Sequence, residues 1–187
     1  MNINQQLIKD CLRRDRRAEF QLYKSCFSVL MGVCMRYRNS EDEAVEMLNV
    51  GFLKVLNNLD KYSFTTPFEA WIRRIMINTL IDDFRKNRKV KELIEYTDFS
   101  QNEKYQDYTD YDRADKIFDV EQLELLIRKL PPVSQKVFNL YAVDGYSHKE
   151  IADMLGISVG TSKWHLSSSR KKLQEMMQEI INNTKVV

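Results

Sequence analysis

Cations, an amide and an aromatic ring recur at helical spacing between Trp71 and Lys89. At about 100° per residue, one face of a helix over this stretch would carry Trp71, Arg74, Asn78, Asp82, Arg85 and Lys89. The opposite face would carry Ile72, Met76, Leu80 and Phe84. Cations bind phosphates and aromatic rings stack on unpaired bases. The first face therefore predicts contact with nucleic acid, while a solvated amphipathic helix with a basic end remains an alternative interpretation.

A second nucleic-acid signal lies in residues 147–174. Ser147 and Glu150 have the spacing of a capping box, Gly156 permits a left-handed turn, and Ser158 can cap the next helix. This order is typical of a helix-turn-helix. Its second helix would present Gly160, Lys163, Trp164, Ser167 and Lys171 outward, with no acidic residue from Ser158 to Gln174. We expect that helix to enter the major groove of DNA.

The sequence offers little for catalysis or metal binding. His148 and His165 lie on different predicted helices without acidic or thiol companions at ligand spacing, and we expect His148 to be solvated. Asp82 and Asp83 would point about 100° apart on a helix, so the two carboxylates could not share a substrate or a metal without distortion. There is no glycine-rich phosphate loop. We expect a protein that is not an enzyme and that carries no metal and no cofactor.

The elements that would position these residues are all helical. Apolar residues recur at spacings of three and four residues, and the 187 residues include only five Gly and three Pro. We predict an all-α fold with two small helical domains, residues 1–91 and 120–187, joined by an acidic, tyrosine-containing linker over 92–119. The segment Asp60–Phe68 would be a loop whose two aromatics either enter the core or wait for a ligand.

A further surface is predicted on the helix that begins at Glu41. Its outer face combines the polar residues Asp42, Glu46 and Asn49 with the apolar residues Val50 and Leu53. Exposed apolar residues among acids permit a protein partner. The three unpaired cysteines, the absence of a signal-peptide pattern and the shortness of the longest apolar stretch, roughly Cys26 to Met35, lead us to expect a cytoplasmic protein without membrane insertion. The net charge of +2 is only a weak argument for a polyanionic partner.

Three segments in order resemble the extracytoplasmic-function (ECF) group of the sigma-70 family. They are EDEAVEMLNVGFLKVL, FEAWIRRIMINTLIDDFRK and LPPVSQKVFNLYAVDGYSHKEIADMLGISVGTSKWHL. The resemblance implies a bacterial sigma factor that binds the clamp and flap regions of core RNA polymerase and directs transcription initiation from promoter DNA. It implies minus-ten melting by the first domain and minus-thirty-five recognition by the second. It also implies a linker toward the RNA exit path and an anti-sigma factor as partner. No small-molecule substrate is implied.

The resemblance carries roles to individual positions. Minus-ten contacts fall on Tyr62, Phe64, Trp71, Arg73, Arg74, Asn78, Arg85, Lys86 and Lys89. Minus-thirty-five contacts fall on Ser158, Val159, Thr161, Lys163, Trp164, His165, Ser167, Arg170 and Lys171. Polymerase contacts fall on Asp42, Glu46, Asn49, Phe52 and Leu53. Within the minus-ten set, Asn78 and the cations are the stronger candidates and Trp71 follows them.

The chain departs from the family pattern in two places. Asn49–Val50 stands where the family usually has Gln-Glu, which removes an acid from the polymerase-binding helix. In the recognition helix Val159 stands where the family commonly has Glu, and Ser162, His165 and Ser168 replace an apolar residue and two frequent arginines, so we expect an altered base preference.

Two other classes of protein remain open from the residues alone. A helix-turn-helix regulator that is not a polymerase subunit explains the second domain but not the Trp-Arg-Asn face. A nucleic-acid enzyme such as a recombinase would need a nucleophile constellation, which is missing.

Overall fold

A computed structural model describes residues 3–87 and 119–184. Over these two ranges the chain is helical and contains no strand, which confirms the all-α prediction. The chain divides into two compact units, Met1–Asn87 and Arg88–Val187. The predicted acidic linker lies outside the described residues except for Asp119, whose carboxylate accepts a hydrogen bond from the amide of Gln122 and caps the helix that begins at Val120.

The first unit contains four helices: α1 (Gln5–Leu12), α2 (Arg16–Tyr37), α3 (Glu41–Asn57) and α4 (Phe68–Asn87). A 3-10 turn over Leu59–Lys61 follows α3. Asp15 caps α2 and Ser40 caps α3, each by accepting backbone N–H bonds that the first helical turn leaves open. The predicted helix of residues 71–89 begins earlier, at Phe68, and Lys89 lies outside the described residues.

Contacts between the helices indicate their directions. Cys34 of α2 contacts Met76 of α4, and Arg38 after α2 pairs with Asp83 of α4, so α2 and α4 run parallel. Tyr23 in the first half of α2 packs on Phe52 in the second half of α3, so α3 runs antiparallel to α2. Their apolar faces form one core that includes the fully buried Leu22, Leu30, Leu48, Ile72, Met76 and Leu80. The outer faces of α3 and α4 are left to solvent.

The second unit contains α5 (Val120–Arg128), α6 (Pro132–Phe138), α7 (His148–Leu155) and α8 (Val159–Thr184), with a π-helical turn over Asn139–Val143. The predicted capping box is confirmed, because Ser147 and Glu150 exchange side chain-to-backbone bonds. Gly156 has φ 67 and ψ 41, a left-handed conformation that suits glycine, and Ser158 accepts the amide of Thr161. Helices α7 and α8 thus form the predicted helix-turn-helix.

Among the residues that the model describes, none of the helices combines the length and apolar character that a bilayer span requires. The same residues bring together no group of three or more possible metal ligands.

Candidate nucleic-acid interface

An open pocket of about 240 Å³ lies where the end of α3 meets the outer face of α4. It is lined by Lys54, Asn58, Lys61, Trp71, Ile75, Asn78 and Thr79. Trp71 and Asn78 are seven residues apart on α4, two helical turns, and therefore share one side of the pocket. The pocket joins a ring, an amide and two cations, which suits a nucleotide base together with its phosphate.

The two lysines of this pocket were missed by sequence analysis. Lys54 lies 3.7 Å from the carboxylate of Asp82 on α4, and Lys61 donates to the side-chain oxygen of Asn58 at 2.7 Å. Both residues belong to α3 and the turn after it, so the periodicity of α4 alone could not include them. The shortness of the α3–α4 connection was the available signal, because it brings the end of α3 close to the start of α4.

Four aromatic rings cluster at the entrance to α4. The ring of Tyr62 lies 4.7 Å from Phe64, 5.1 Å from Phe68 and 5.2 Å from Trp71, between ring centroids. The Tyr62 hydroxyl donates to the carbonyl of Thr66 at 2.7 Å and holds the loop closed. Phe64 has φ 60 and is 49% exposed. Tyr62 is thus partly packed, while Phe64 offers its ring to solvent from a left-handed conformation that is rare in a bulky residue.

The remaining residues predicted for the minus-ten contact fall into two groups. Arg74, Arg85 and Lys86 are exposed on α4. Arg73 instead donates from Nε and Nη2 to a single carboxylate oxygen of Glu69, Oε1, at 3.2 and 3.0 Å, and lies five residues from Asn78, about 140° around the helix. This hydrogen bond from Arg73 holds the pKa of Glu69 below its usual value. The structure therefore does not bring Arg73 together with the pocket.

The outer face of α3 carries most of the residues predicted for polymerase contact. Asp42, Glu46 and Asn49 are exposed, and Leu53 is 58% exposed. Phe52 is only 8% exposed and packs against Tyr23 of α2 with centroids 5.0 Å apart. Phe52 thus supports the outer face of α3 from below.

Helix α8 exposes part of the predicted minus-thirty-five set. Ser158, Val159, Lys163 and Lys171 are exposed, and Trp164, Ser167 and Arg170 are half-buried. These side chains follow one side of α8, on which the described residues include no acid before Glu175. The arrangement suits the negatively charged groove of a DNA duplex.

Two members of that set are buried in the structure. Thr161 is 6% exposed, and its hydroxyl lies 2.8 Å from that of Ser158 inside the helix cap. His165 is fully buried, with Nδ1 2.9 Å from the hydroxyl of Ser134 on α6. Ser169 donates to the carbonyl of His165 at 2.7 Å. These residues lie at four-residue spacing on the buried side of α8, apart from its exposed side chains. Contact of Thr161 or His165 with the minus-thirty-five element stays a prediction.

His148 also differs from the expected solvated residue. Its ring stacks on Tyr141 with centroids 4.5 Å apart, and its Nδ1 lies 2.9 Å from the hydroxyl of Ser162 on α8. Burial lowers the pKa of His148, and the positive charges of Lys163 and Arg170 lower it further. The neutral imidazole thus links the two helices of the helix-turn-helix.

Family comparisons agree with this geometry. Residues 22–90 match the model of Sigma-70 region 2, and residues 120–173 match that of Sigma-70, region 4, together about two thirds of the chain. The chain belongs to the sigma-70 family. It is an ECF sigma factor, as the sequence predicted, and it functions by binding core RNA polymerase and directing transcription initiation from promoter DNA. Sigma factors are initiation factors and not enzymes by themselves.

Known sigma factors resemble this one over most of its length. The ECF RNA polymerase sigma factor SigW of Bacillus subtilis (strain 168) is 27% identical over 154 residues, 79% of this chain and 82% of that protein. The RNA polymerase sigma-H factor of Pseudomonas aeruginosa is 23% identical over 184 residues, 95% of each chain. The sigma factor RpoE of Bartonella quintana, solved with the anti-sigma factor NepR, shares the fold with a TM-score of 0.50 at 18% identity, over 84% of this chain and 97% of that one.

Proposed function

We propose that this ECF sigma factor opens the minus-ten element by capturing an unpaired base in the pocket formed by Lys54, Lys61, Trp71 and Asn78. The convergence of a ring, an amide and two cations from α3 and α4 carries the proposal. The ring of Trp71 would stack on the base, the Asn78 amide would bond to its edge, and the lysines would hold its phosphate. Tyr62 and Phe64 would shield the captured base from water.

The energetics of melting agree with this division of roles. Stacking of a base on an aromatic side chain contributes roughly 1–3 kcal/mol, comparable with the stacking lost in the duplex. Phosphate contacts orient the strand without specifying its sequence. The free energy of the contacts in the pocket would therefore be about equal to the free-energy cost of extruding one base. Core RNA polymerase must supply the remaining free energy of melting. We expect the isolated sigma factor to bind promoter DNA weakly.

The other surfaces receive complementary roles. The outer face of α3, with Asp42, Glu46 and Leu53, would bind the polymerase clamp. The exposed side of α8, with Val159 and Lys163, would read the minus-thirty-five element, and the second unit would also contact the polymerase flap. We assign clamp binding and minus-ten melting to residues 1–91, and minus-thirty-five recognition to residues 120–187. The protein would act in the cytoplasm under the control of an anti-sigma factor, as the pairing of the Bartonella quintana RpoE with NepR suggests.

The experiment is promoter-dependent runoff transcription with core RNA polymerase on fragments of the host genome, followed by two variants. Asn78→Ala should lower open-complex formation about fivefold, the equivalent of about 1 kcal/mol for one hydrogen bond, and leave core affinity unchanged. Asn182→Ala, an exposed asparagine in the other unit, is the matched control. Equal loss of core affinity and open complexes in Asn78→Ala would refute the pocket assignment.

Leu53→Asp tests the polymerase face. It places a charge in an apolar contact, so core affinity should fall while the thermal stability of the free protein is unchanged. Unaltered affinity in a pull-down with core RNA polymerase would remove α3 from that role. If no fragment yields an added transcript with the wild-type protein, a regulator that acts without entering the polymerase becomes the better interpretation.

A further inference from the structure

His148 joins the two helices of the helix-turn-helix, and none of the roles proposed above uses it. It is the first residue of α7, and its Nδ1 lies 2.9 Å from the hydroxyl of Ser162 on α8. Tyr141 covers one face of the imidazole, with the two rings inclined at 21° and their centroids 4.5 Å apart. The ring is therefore held by a stack and by a hydrogen bond at the same time.

Ser162 lies directly behind the residues proposed to read DNA. It is fully buried near the start of α8, and its amide donates to the carbonyl of Ser158 at 3.0 Å. The next residue, Lys163, is exposed, and so is Val159 three residues before Ser162. In a helix-turn-helix the N-terminal residues of the second helix contact base edges. A bond that fixes Ser162 thus fixes the part of α8 that would enter the major groove.

The hydrogen bond supplies a direction that apolar packing between the two helices does not. The buried residues of α7 are Ile151, Ala152 and Leu155, and burial of apolar surface is non-directional. A hydrogen bond instead depends on distance and angle. Ser162 stands where the family usually has an apolar residue, so this chain orients α8 with a directional contact.

The imidazole lies in a positively charged environment. Burial lowers the pKa of His148, and the charges of Lys163 and Arg170 on α8 lower it further. From the π-helical turn, the group that faces the ring is the phenol of Tyr141. On α7 itself, the carboxylate of Glu150 is bonded within the capping box. The imidazole of the free protein is therefore uncharged at neutral pH.

We propose that His148 is a positioning residue for minus-thirty-five recognition, which orients the start of α8 through Ser162 and takes up a proton when DNA phosphates approach Lys163 and Arg170. The proposal rests on the role of α8 given under the proposed function. It adds a residue that acts through its neighbours and makes the minus-thirty-five contact sensitive to pH.

DNA binding would reverse the balance of charge around the ring. Phosphates held by Lys163 and Arg170 offset the cations that disfavour an imidazolium. The protonated ring keeps both of its contacts, because Nδ1–H donates to the Ser162 hydroxyl and a cation is favoured against the face of Tyr141. A complex that binds the proton more tightly than the free protein does must bind DNA more tightly at lower pH. Affinity should therefore rise as the pH falls below neutral and level off above it.

The test measures the affinity of the holoenzyme for a promoter duplex identified by runoff transcription, by fluorescence competition between pH 6 and pH 8. The ratio of variant to wild-type affinity at each pH removes any pH dependence of the polymerase itself. His148→Leu and Ser162→Ala both remove the bond, and each should weaken binding about fivefold at pH 8, the usual effect of losing one hydrogen bond. Asn182→Ala, exposed at the far end of α8, is the control and should bind as the wild type does.

His148→Asn separates the hydrogen bond from the proton. The side-chain amide of asparagine can occupy the place of Nδ1 and bond to Ser162, but it does not titrate. At pH 8 this variant should therefore recover binding to within about twofold of the wild type. At pH 6 the wild type should bind about threefold more tightly than His148→Asn, because only the histidine takes up the proton.

A second readout separates positioning from stability. Replacing one base pair of the minus-thirty-five element should weaken wild-type binding about tenfold. In Ser162→Ala this discrimination should be about threefold smaller, whereas a folded variant that is only less stable would keep it. Circular dichroism verifies that each variant is folded, and Ser162→Ala keeps the test available if His148→Leu does not fold.

The outcomes distinguish this proposal from the role of α8 on which it rests. Parallel pH profiles for the wild type and His148→Asn would overturn the proton uptake. Wild-type affinity and discrimination in Ser162→Ala would overturn the positioning, and either result refutes the proposal while α8 keeps its role. If the wild-type protein itself does not distinguish minus-thirty-five sequences, the proposed role of α8 fails as well.

Discussion

Gly51 of α3 lies against the side chain of Met76 on α4. A Cβ placed at Gly51 would overlap Cε of Met76 and would lie 2.6 Å from its Sδ. The Met76 side chain has little room to move away, because its Sδ already lies 3.4 Å from the buried Sγ of Cys34. Replacing Gly51 by alanine should therefore push apart α3 and α4, the helices that carry the proposed polymerase face and the proposed nucleotide pocket.

Two opposing effects set the size of this change. Alanine favours a helix over glycine by about 1 kcal/mol, whereas adding a methyl group to a packed core costs about 1–3 kcal/mol. The contact is closer than a flexible methionine can relieve without disturbing Cys34, so we expect the packing cost to exceed the helix gain by about 1 kcal/mol. For a unit of this size, that corresponds to a melting temperature lower by about 4–8 °C.

Thermal unfolding followed by circular dichroism measures this shift, and a double-mutant cycle identifies its cause. Met76→Val shortens the obstructing side chain and should be destabilising by itself, because it leaves a cavity. In the presence of Met76→Val, Gly51→Ala should cost less than it does alone, with a coupling of about 1 kcal/mol. If Gly51→Ala raises the melting temperature instead, helix propensity outweighs packing and the close approach does not constrain the two helices.

Three further predictions concern buried polar groups. Ser134→Ala should destabilise the second unit by about 1–3 kcal/mol in thermal unfolding, because it removes the partner 2.9 Å from Nδ1 of the buried His165; an unchanged melting temperature would contradict this. The pKa of His148 lies below its usual value of 6.5, so the unfolded chain binds the proton more readily and stability should fall as the pH drops below about 6.5. His148→Gln should flatten that dependence in unfolding curves measured from pH 5 to pH 8, and an unaltered slope would rule out this residue as its source. Burial raises the pKa of Cys26 and Cys34 to about 12, so a thiol reagent at pH 8 should label them only after denaturation. Rapid labelling of the native protein would show that the core opens.

Much of the fold followed from local patterns in the sequence. Apolar spacing predicted helices, and side chains that cap their own helix ends, such as Ser40 and Ser147, could be read directly. Gly156 adopts the left-handed conformation that its place between two helices indicated. These features depend on neighbours within a few residues, which explains why sequence alone reaches them.

Features that depend on packing between helices were harder to predict. Helical spacing cannot tell which side of α8 meets α6, so His165 was assigned to DNA although it lies fully buried against Ser134. Lys54 was missed because it belongs to α3, whereas its ion-pair partner Asp82 belongs to α4. Phe20 and Phe27 have the three-four spacing that is typical of core residues, yet both are exposed. The apolar side of α2 is wider than the area that the neighbouring helices cover.

Lys54 places α3 under two kinds of mutational constraint. One side of this helix bears the residues proposed to bind polymerase, while the side chain of Lys54 reaches Asp82 and lines the pocket that we propose binds a nucleotide. A shift or rotation of α3 that tunes affinity for the enzyme would also displace a cation at the pocket. Substitutions in α3 that change polymerase affinity are thus expected to change promoter choice as well. Second-site substitutions that restore function should occur on the pocket side of α4.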